Sequence, residues 1–184
     1  MTQLTLQTAT FASGCFWCTE AVFSRLRGVT KVTSGYIGGH VANPTYEQVS
    51  NGTTGHAEAL QVVFDPTVIS YEQLVEVFFG THNPTTLNRQ GNDVGEQYRS
   101  AIFTHSQGQA VVAKAMITKL TADNTFGKPI VTTVEPATTF YPAEEYHRDY
   151  YTNNPDQPYC QIVISPKVVK LREKYAALLN EDKL

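Results

Sequence analysis

The chain has 184 residues, 41% of them hydrophobic and 17% charged, with a formal net charge of −3. That composition is globular and long enough for one domain with a sizeable core, and a pI near 5.9 supplies no general attraction to nucleic acid or anionic membranes. Three cysteines, an odd number, argue against a secreted disulfide framework and for reduced, reactive or metal-binding thiols.

The N-terminus, Met1 to Leu6, has neither a basic region nor a continuous apolar run, so it reads as no signal peptide. No apolar stretch approaches spanning length, and a reducing cytoplasm is the expected location. A strand is predicted over Leu4–Phe11 and a helix over Thr19–Leu26, with Gly14-Cys15-Phe16-Trp17-Cys18 at their junction. A second strand, Lys31–Ile37, ends at Gly38-Gly39, and residues 38–56 read as an irregular excursion. A third strand, Ala57–Phe64, stops at Asp65-Pro66. Ser70 and Gln73 form a capping box for the next helix, Ile69 and Leu74 staple it, and Gly80 is expected to close it. Residues 81–99 make a long polar loop, a kind usually kept for function.

Arg99–Thr104 reads as a strand, followed by a helix capped by Ser106 and Gln109 with an apolar stripe at Ala113, Met116, Ile117 and Leu120. Pro129–Val134 reads as a further strand. Pro142 suits the first position of a short helix through Tyr150. Residues 152–160 form a Pro/Asn-rich segment, and Ser165-Pro166 is expected to cap a last helix with Val168, Leu171, Tyr175 and Leu178 on one face. Short strands mixed with helices, and no repeat or linker, give a two-layer α+β fold in a single domain, residues 1–184.

A cysteine at a strand-to-helix junction meets free backbone N–H groups and the positive end of the helix dipole, which favour a thiolate. Cys15 and Cys18 are spaced as C-x-x-C, which fits a redox dithiol, half a zinc site completed by Cys160 and a histidine, or a nucleophile with a neighbour that resolves it. No second paired spacing supports zinc, and no metal is assigned. Glu58 is a carboxylate inside a strand run; it either points outward or is a partly buried acid that keeps its proton for donation. Tyr36, Tyr46 and Tyr98 lie in Gly-rich or loop settings, Asp93 reads as a turn former, and His147 as a surface or core histidine.

Six blocks carry a resemblance. They are Gly14–Trp17, Gly35–Gly39, Asn43–Tyr46, Gly55–Glu58, Gln90–Ser100 and Ala143–His147, in that order along the chain. Together they resemble peptide methionine sulfoxide reductase of the A class over nearly the whole sequence. The resemblance implies a ferredoxin-like α/β plait with long irregular loops and a C-terminal extension; a monomer is expected. It implies Cys15 as nucleophile, Phe16 and Trp17 as the pocket for the substrate S-methyl group, and Glu58 as the acid that protonates the sulfoxide oxygen. Tyr46 and Tyr98 would hydrogen-bond that oxygen, with Asp93 supporting the site. Methionine-S-sulfoxide, free or in proteins, would yield methionine and a Cys15 sulfenic acid. A second thiol would then close a disulfide that thioredoxin or a similar dithiol reduces, with no cofactor. Cys160, in the C-terminal segment, is the favoured resolving thiol and Cys18 the alternative. Cys18 stands where family members often have Gly, Asn83 where Asp is more usual, and Glu96 and Arg148 replace commoner Thr and Gln.

Overall fold

A computed structural model describes residues 5–184; Leu4 of the expected first strand, and the Met1–Leu4 part of the N-terminal reading, lie outside the described residues. Strand β1 (Gln7–Ser13) leads through Gly14 into helix α1 (Phe16–Phe23). The helix starts three residues before the expected Thr19, so Cys15 is its N-cap. Gly14 makes this turn possible. Its φ is +97°, and a Cβ there would overlap the Gln90 side chain at 2.7 Å.

Strand β2 (Val29–Ile37) follows, and the excursion after it contains a short helix α2 (Tyr46–Ser50) with a Thr45–Gln48 capping box. Strand β3 (Ala57–Phe64) lies where the alternation places it. Helix α3 (Tyr71–Thr81) has its expected Ser70–Gln73 box, but Gly80 lies inside the helix and does not end it. The reason is packing: a Cβ at Gly80 would overlap the Tyr175 hydroxyl, so glycine serves close approach of the last helix.

The 81–99 loop folds into a small hairpin of β4 (Arg89–Gln90) and β5 (Asp93–Val94), then a 3₁₀ turn at Glu96–Tyr98. Strand β6 (Ser100–Thr104) and helix α4 (Gln107–Ala122) come next. The strand expected over 129–134 is displaced to β7 (Thr133–Pro136), which pairs in parallel with β6. No helix begins at Pro142. Tyr141–Pro142 is instead edge strand β8 on β2, where the missing proline N–H costs no ladder bond. A 3₁₀ turn (Glu145–His147) and helix α5 (Tyr150–Asn153) follow. Ser165 does not cap the last helix: a π-helical turn, Cys160–Ile164, runs directly into α6 (Ser165–Tyr175), and the Ser165 hydroxyl pairs with Tyr151 at 2.9 Å.

The six-stranded sheet has the order β7-β6-β1-β3-β2-β8, antiparallel except for β7 on β6. Alternation sends Leu60, Val62 and Phe64 of β3 to the helix-covered face, where the main core gathers Phe11, Phe23, Phe64, Phe78 and Leu171. Phe11 stacks between Phe23 and Phe78 at 5.0 and 5.3 Å. Each such ring contributes about 2–3 kcal/mol through burial. Glu58 is two residues before Leu60 and so points to the same covered face. The ends of β1 and β2 and the start of β3 meet at one edge of this layer, with Tyr36 opposite Glu58. Among the described residues no helix is long and apolar enough to cross a membrane.

Candidate active site

The site forms where α1 begins. Helix N-termini leave backbone N–H groups without intrahelical partners, and the Phe16 amide donates to Glu58 Oε2 at 3.0 Å. Glu58 is 1% exposed. Burial pushes its pKa up to about 8 against the pull of the Phe16 amide, with Asp93 and Cys18 adding to the rise. At neutral pH this carboxyl therefore keeps its proton, the inward alternative of the sequence reading.

Cys15 is buried directly before Phe16. Its thiol is held well above the ordinary value, first by burial, then by its hydrogen bond with Cys18 and the charge of Glu58. The helix N-terminus favours a Cys15 thiolate, and burial beside Glu58 acts against it. Cys18 is shifted the other way. Its pKa falls to about 7, chiefly through the hydrogen bond with Cys15, helped by Lys167 and Tyr159 against the cost of burial. The Tyr159 hydroxyl lies 3.7 Å from Cys18 Sγ and donates to Asp93 Oδ2 at 2.6 Å. Asp93, read as a turn former, thus connects to the thiols through Tyr159, which sequence reasoning did not single out.

Phe16 is buried against Tyr36 and Tyr46, with ring centroids 5.8 and 6.4 Å away. Trp17, partly exposed, stacks flat on Tyr150 at 3.7 Å and donates its indole N–H to His147 Nδ1 at 3.0 Å. Tyr46 and Tyr98 both have pKa values raised by burial and by Glu58, to about 12 for Tyr46, so both keep their hydroxyl protons. Glu144 fastens this side: it accepts from the Tyr36 hydroxyl at 2.9 Å, the Tyr46 amide at 3.1 Å and the Tyr146 hydroxyl at 3.2 Å. Its signal in the sequence was its place in the Ala143–His147 block, and nothing there told its role from that of Glu145.

The arrangement brings together every residue singled out for chemistry. Cys15, Cys18, Cys160, Trp17 and Tyr98 share one cluster, and Phe16, Tyr36, Tyr46 and Trp17 the adjoining one. Cys160 does not sit on an open loop; it is 0% exposed in its π-helical turn, with its thiol pushed up by burial and by Cys18. Among the described residues no group of three or more His, Cys, Asp or Glu is placed to hold a metal ion. A protonated carboxyl, two cysteines and two phenols gathered around Phe16 and Trp17 can donate a proton to a substrate oxygen and attack the atom that carries that oxygen.

Comparison with known proteins agrees. The family model for peptide methionine sulfoxide reductase matches residues 7–179. Peptide methionine sulfoxide reductase MsrA of Deinococcus radiodurans is 62% identical over 172 residues, 94% of this chain and 84% of the relative. Among solved structures, reduced Mxr1 from Saccharomyces cerevisiae superposes with a TM-score of 0.77 at 36% identity, over 84% of this chain and 89% of that one. Mxr1 in complex with Trx2 superposes at 0.54 with 27% identity, over 79% and 84%.

Proposed function

We propose a mechanism and a partner for this chain, which belongs to the peptide methionine sulfoxide reductase family and is an oxidoreductase that reduces methionine sulfoxide at the expense of thiols. The observation that carries the mechanism is the Glu58–Phe16 hydrogen bond, which puts a protonated acid at the helix end that Cys15 caps. The sulfoxide oxygen accepts the Glu58 proton, which makes the sulfoxide sulfur electrophilic, and the Cys15 sulfur attacks that sulfur. The new S–S bond forms as the S–O bond breaks, and the oxygen leaves as water with the Glu58 and thiol protons. Water then attacks the Cys15 sulfur, the S–S bond breaks, the thioether leaves as methionine, Cys15 is left as the sulfenic acid and the released proton returns to the carboxylate. Tyr46 and Tyr98 hydroxyls stabilise the oxygen as charge develops on it. Phe16 and Trp17 hold the S-methyl group, the family resemblance supports the S form at sulfur as substrate, and Asp93 holds Tyr159 against the thiols.

For the second step the support moves from Cys160 to Cys18. Cys18 is one helical turn from Cys15 and its pKa is lowered to about 7, first by its interaction with Cys15, whereas burial and Cys18 push the Cys160 thiol up. Cys18 attacks the Cys15 sulfur, hydroxide leaves and takes up a proton as water, and a disulfide forms. Thioredoxin, or a dithiol like it, reduces that disulfide; the complex of the yeast relative with Trx2 supports such a partner. The strand order β6-β1-β3-β2 within a β-α-β-β-α-β sequence supports a ferredoxin-like plait. We read residues 1–184 as one catalytic domain, monomeric and cytoplasmic. The test is a single-turnover assay on the two separated sulfoxide epimers with thiol counting. Reduction of the S epimer with loss of two thiols per methionine is expected; equal use of both epimers, or full activity of Cys15→Ser, defeats the reading.

A further inference from the structure

Tyr159 takes no part in the bond-making steps above, yet its hydroxyl lies between a reacting sulfur and a carboxylate. The hydroxyl donates to Asp93 Oδ2 at 2.6 Å, the length of a bond to a carboxylate anion. Its oxygen is 3.7 Å from Cys18 Sγ, a hydrogen-bonding distance for sulfur. A phenol has one proton to donate. With that proton on Asp93, a lone pair of the Tyr159 oxygen faces Cys18, so the thiol is the donor of the second bond. The three groups form one chain, from Cys18 Sγ–H through Tyr159 Oη–H to Asp93 Oδ2.

The two ends of this chain differ in their access to water. Cys18 is 2% exposed and packs with Ala21, Ile164 and Val168, so its proton has almost no direct contact with solvent. Asp93 is half-buried on β5 and reaches solvent. Three separate segments hold the groups in line. The Cys18 amide donates to the Cys15 carbonyl at 3.1 Å in the first turn of α1. Asp93 pairs with Gln90 across the β4–β5 hairpin. The Tyr159 ring, directly before the π-helical turn, stands edge-on to Trp17 at 5.8 Å.

The geometry points to Cys18, Tyr159 and Asp93 as a proton relay that serves disulfide formation. The inference rests on the reading of Cys18 as the thiol that resolves the Cys15 sulfenic acid. As the Cys18 sulfur forms the S–S bond, its proton passes to the Tyr159 oxygen and the Tyr159 proton passes to Asp93, which releases it to water. The S–O bond of Cys15 breaks, and the hydroxide leaves as water with the Glu58 proton, which solvent later replaces. The Cys18 sulfur is oxidised and the Cys15 sulfur reduced to the disulfide level, so no outside oxidant enters. Tyr159 ends the step neutral. The relay matters because a thiol attacks in proportion to its thiolate character, and this thiol is closed off from bulk water.

Tyr159→Phe keeps the ring beside Trp17 and removes both hydrogen bonds. In rapid-quench single turnovers of the reduced enzyme, methionine released times the first step, and loss of the second thiol times disulfide formation. Dimedone traps the sulfenic acid between them. At pH 6 the ratio of second-step to first-step rate should fall roughly ten-fold or more in Tyr159→Phe, with trapped sulfenic acid accumulating. Asp93→Asn, which accepts the hydroxyl but not its proton, should show the same fall. At pH 9 Cys18, which titrates near 7, has lost its proton before it attacks, so the deficit in Tyr159→Phe should largely vanish. The titratable groups around Cys18 are Cys15, Glu58, Asp93, Tyr159, Cys160 and Lys167; of these only Tyr159 differs between the two proteins, so the others cancel in the comparison. An unchanged ratio in Tyr159→Phe, or a deficit equal at pH 6 and pH 9, overturns the relay, the latter because packing alone would then explain it. If Tyr159→Phe does not fold, an unchanged ratio in Asp93→Asn overturns it. Cys18→Ser separates the two levels: continued turnover with thioredoxin there removes Cys18 as the resolving thiol, while a stalled Cys18→Ser beside a normal Tyr159→Phe removes only the relay.

Discussion

Replacing Glu58 by Gln tests whether the acid holds a proton before substrate arrives. The carboxyl titrates near 8 in the fold against 4.5 as a free side chain. Between those values the native state binds a proton that the unfolded chain has lost, so stability present below the unfolded pKa drains away as pH rises through the folded one. At about 1.4 kcal/mol per pH unit, this group costs the fold on the order of 4 kcal/mol more at pH 9 than at pH 5. Gln is neutral throughout and keeps an oxygen to accept the Phe16 N–H, so the variant lacks that slope. Urea unfolding of the reduced proteins at the two pH values measures it. With a slope of about 2 kcal/mol per molar urea, the wild-type midpoint should drop by about 2 M more than that of Glu58→Gln. Cysteines and tyrosines titrate in both proteins and cancel in the comparison. Equal drops in the two proteins would falsify the argument, because Glu58 would then be ionised in the fold and have no proton to give at neutral pH.

The same Glu58→Gln variant should reduce methionine sulfoxide roughly 10²–10⁴-fold more slowly in a single turnover, the ordinary worth of a positioned acid. With thioredoxin as the sole reductant, Cys18→Ser should stall after one turnover while Cys160→Ser continues; the reverse outcome returns the resolving role to Cys160. Tyr46→Phe and Tyr98→Phe should each slow the first step by about ten-fold or more without loss of stability, read by rapid-quench kinetics and thermal melting. Gly80→Ala should lower stability by roughly 1–3 kcal/mol in denaturant titrations, because the new methyl meets the Tyr175 hydroxyl, and Tyr175→Phe should recover part of that loss.

How much was legible depended on the range of the force involved. Strand β3 and the start of α3 were readable because alternation and a capping box are local, and both lie where expected. Pro142 and Gly80 misled for one reason: a proline suits an edge strand as well as a helix start, and a glycine suits a tight helix crossing as well as a helix end. The neighbours that decide between these, Gly35 opposite Pro142 and Tyr175 against Gly80, are distant in sequence.

At the site, the chain by itself determined which chemical groups exist and in what order: Cys15 before two aromatics, Glu58 in a strand, Tyr46 and Tyr98 in loops, and Cys160 near the end. Those blocks sufficed to indicate the family. Only the tertiary structure decided the protonation states, since they follow from burial and from neighbours on other elements. Local sequence placed Cys15 at a helix end and suggested a thiolate. The packed site pushes the Cys15 thiol and the Glu58 carboxyl up by burial and lowers Cys18 through its interaction with Cys15. The same holds for Glu144, His147 and Tyr159, ordinary residues in the sequence, which acquire roles because folding brings them to Tyr46, Trp17 and Cys18. Desolvation and hydrogen bonding across the fold set these roles, and neither is a property of spacing along the chain.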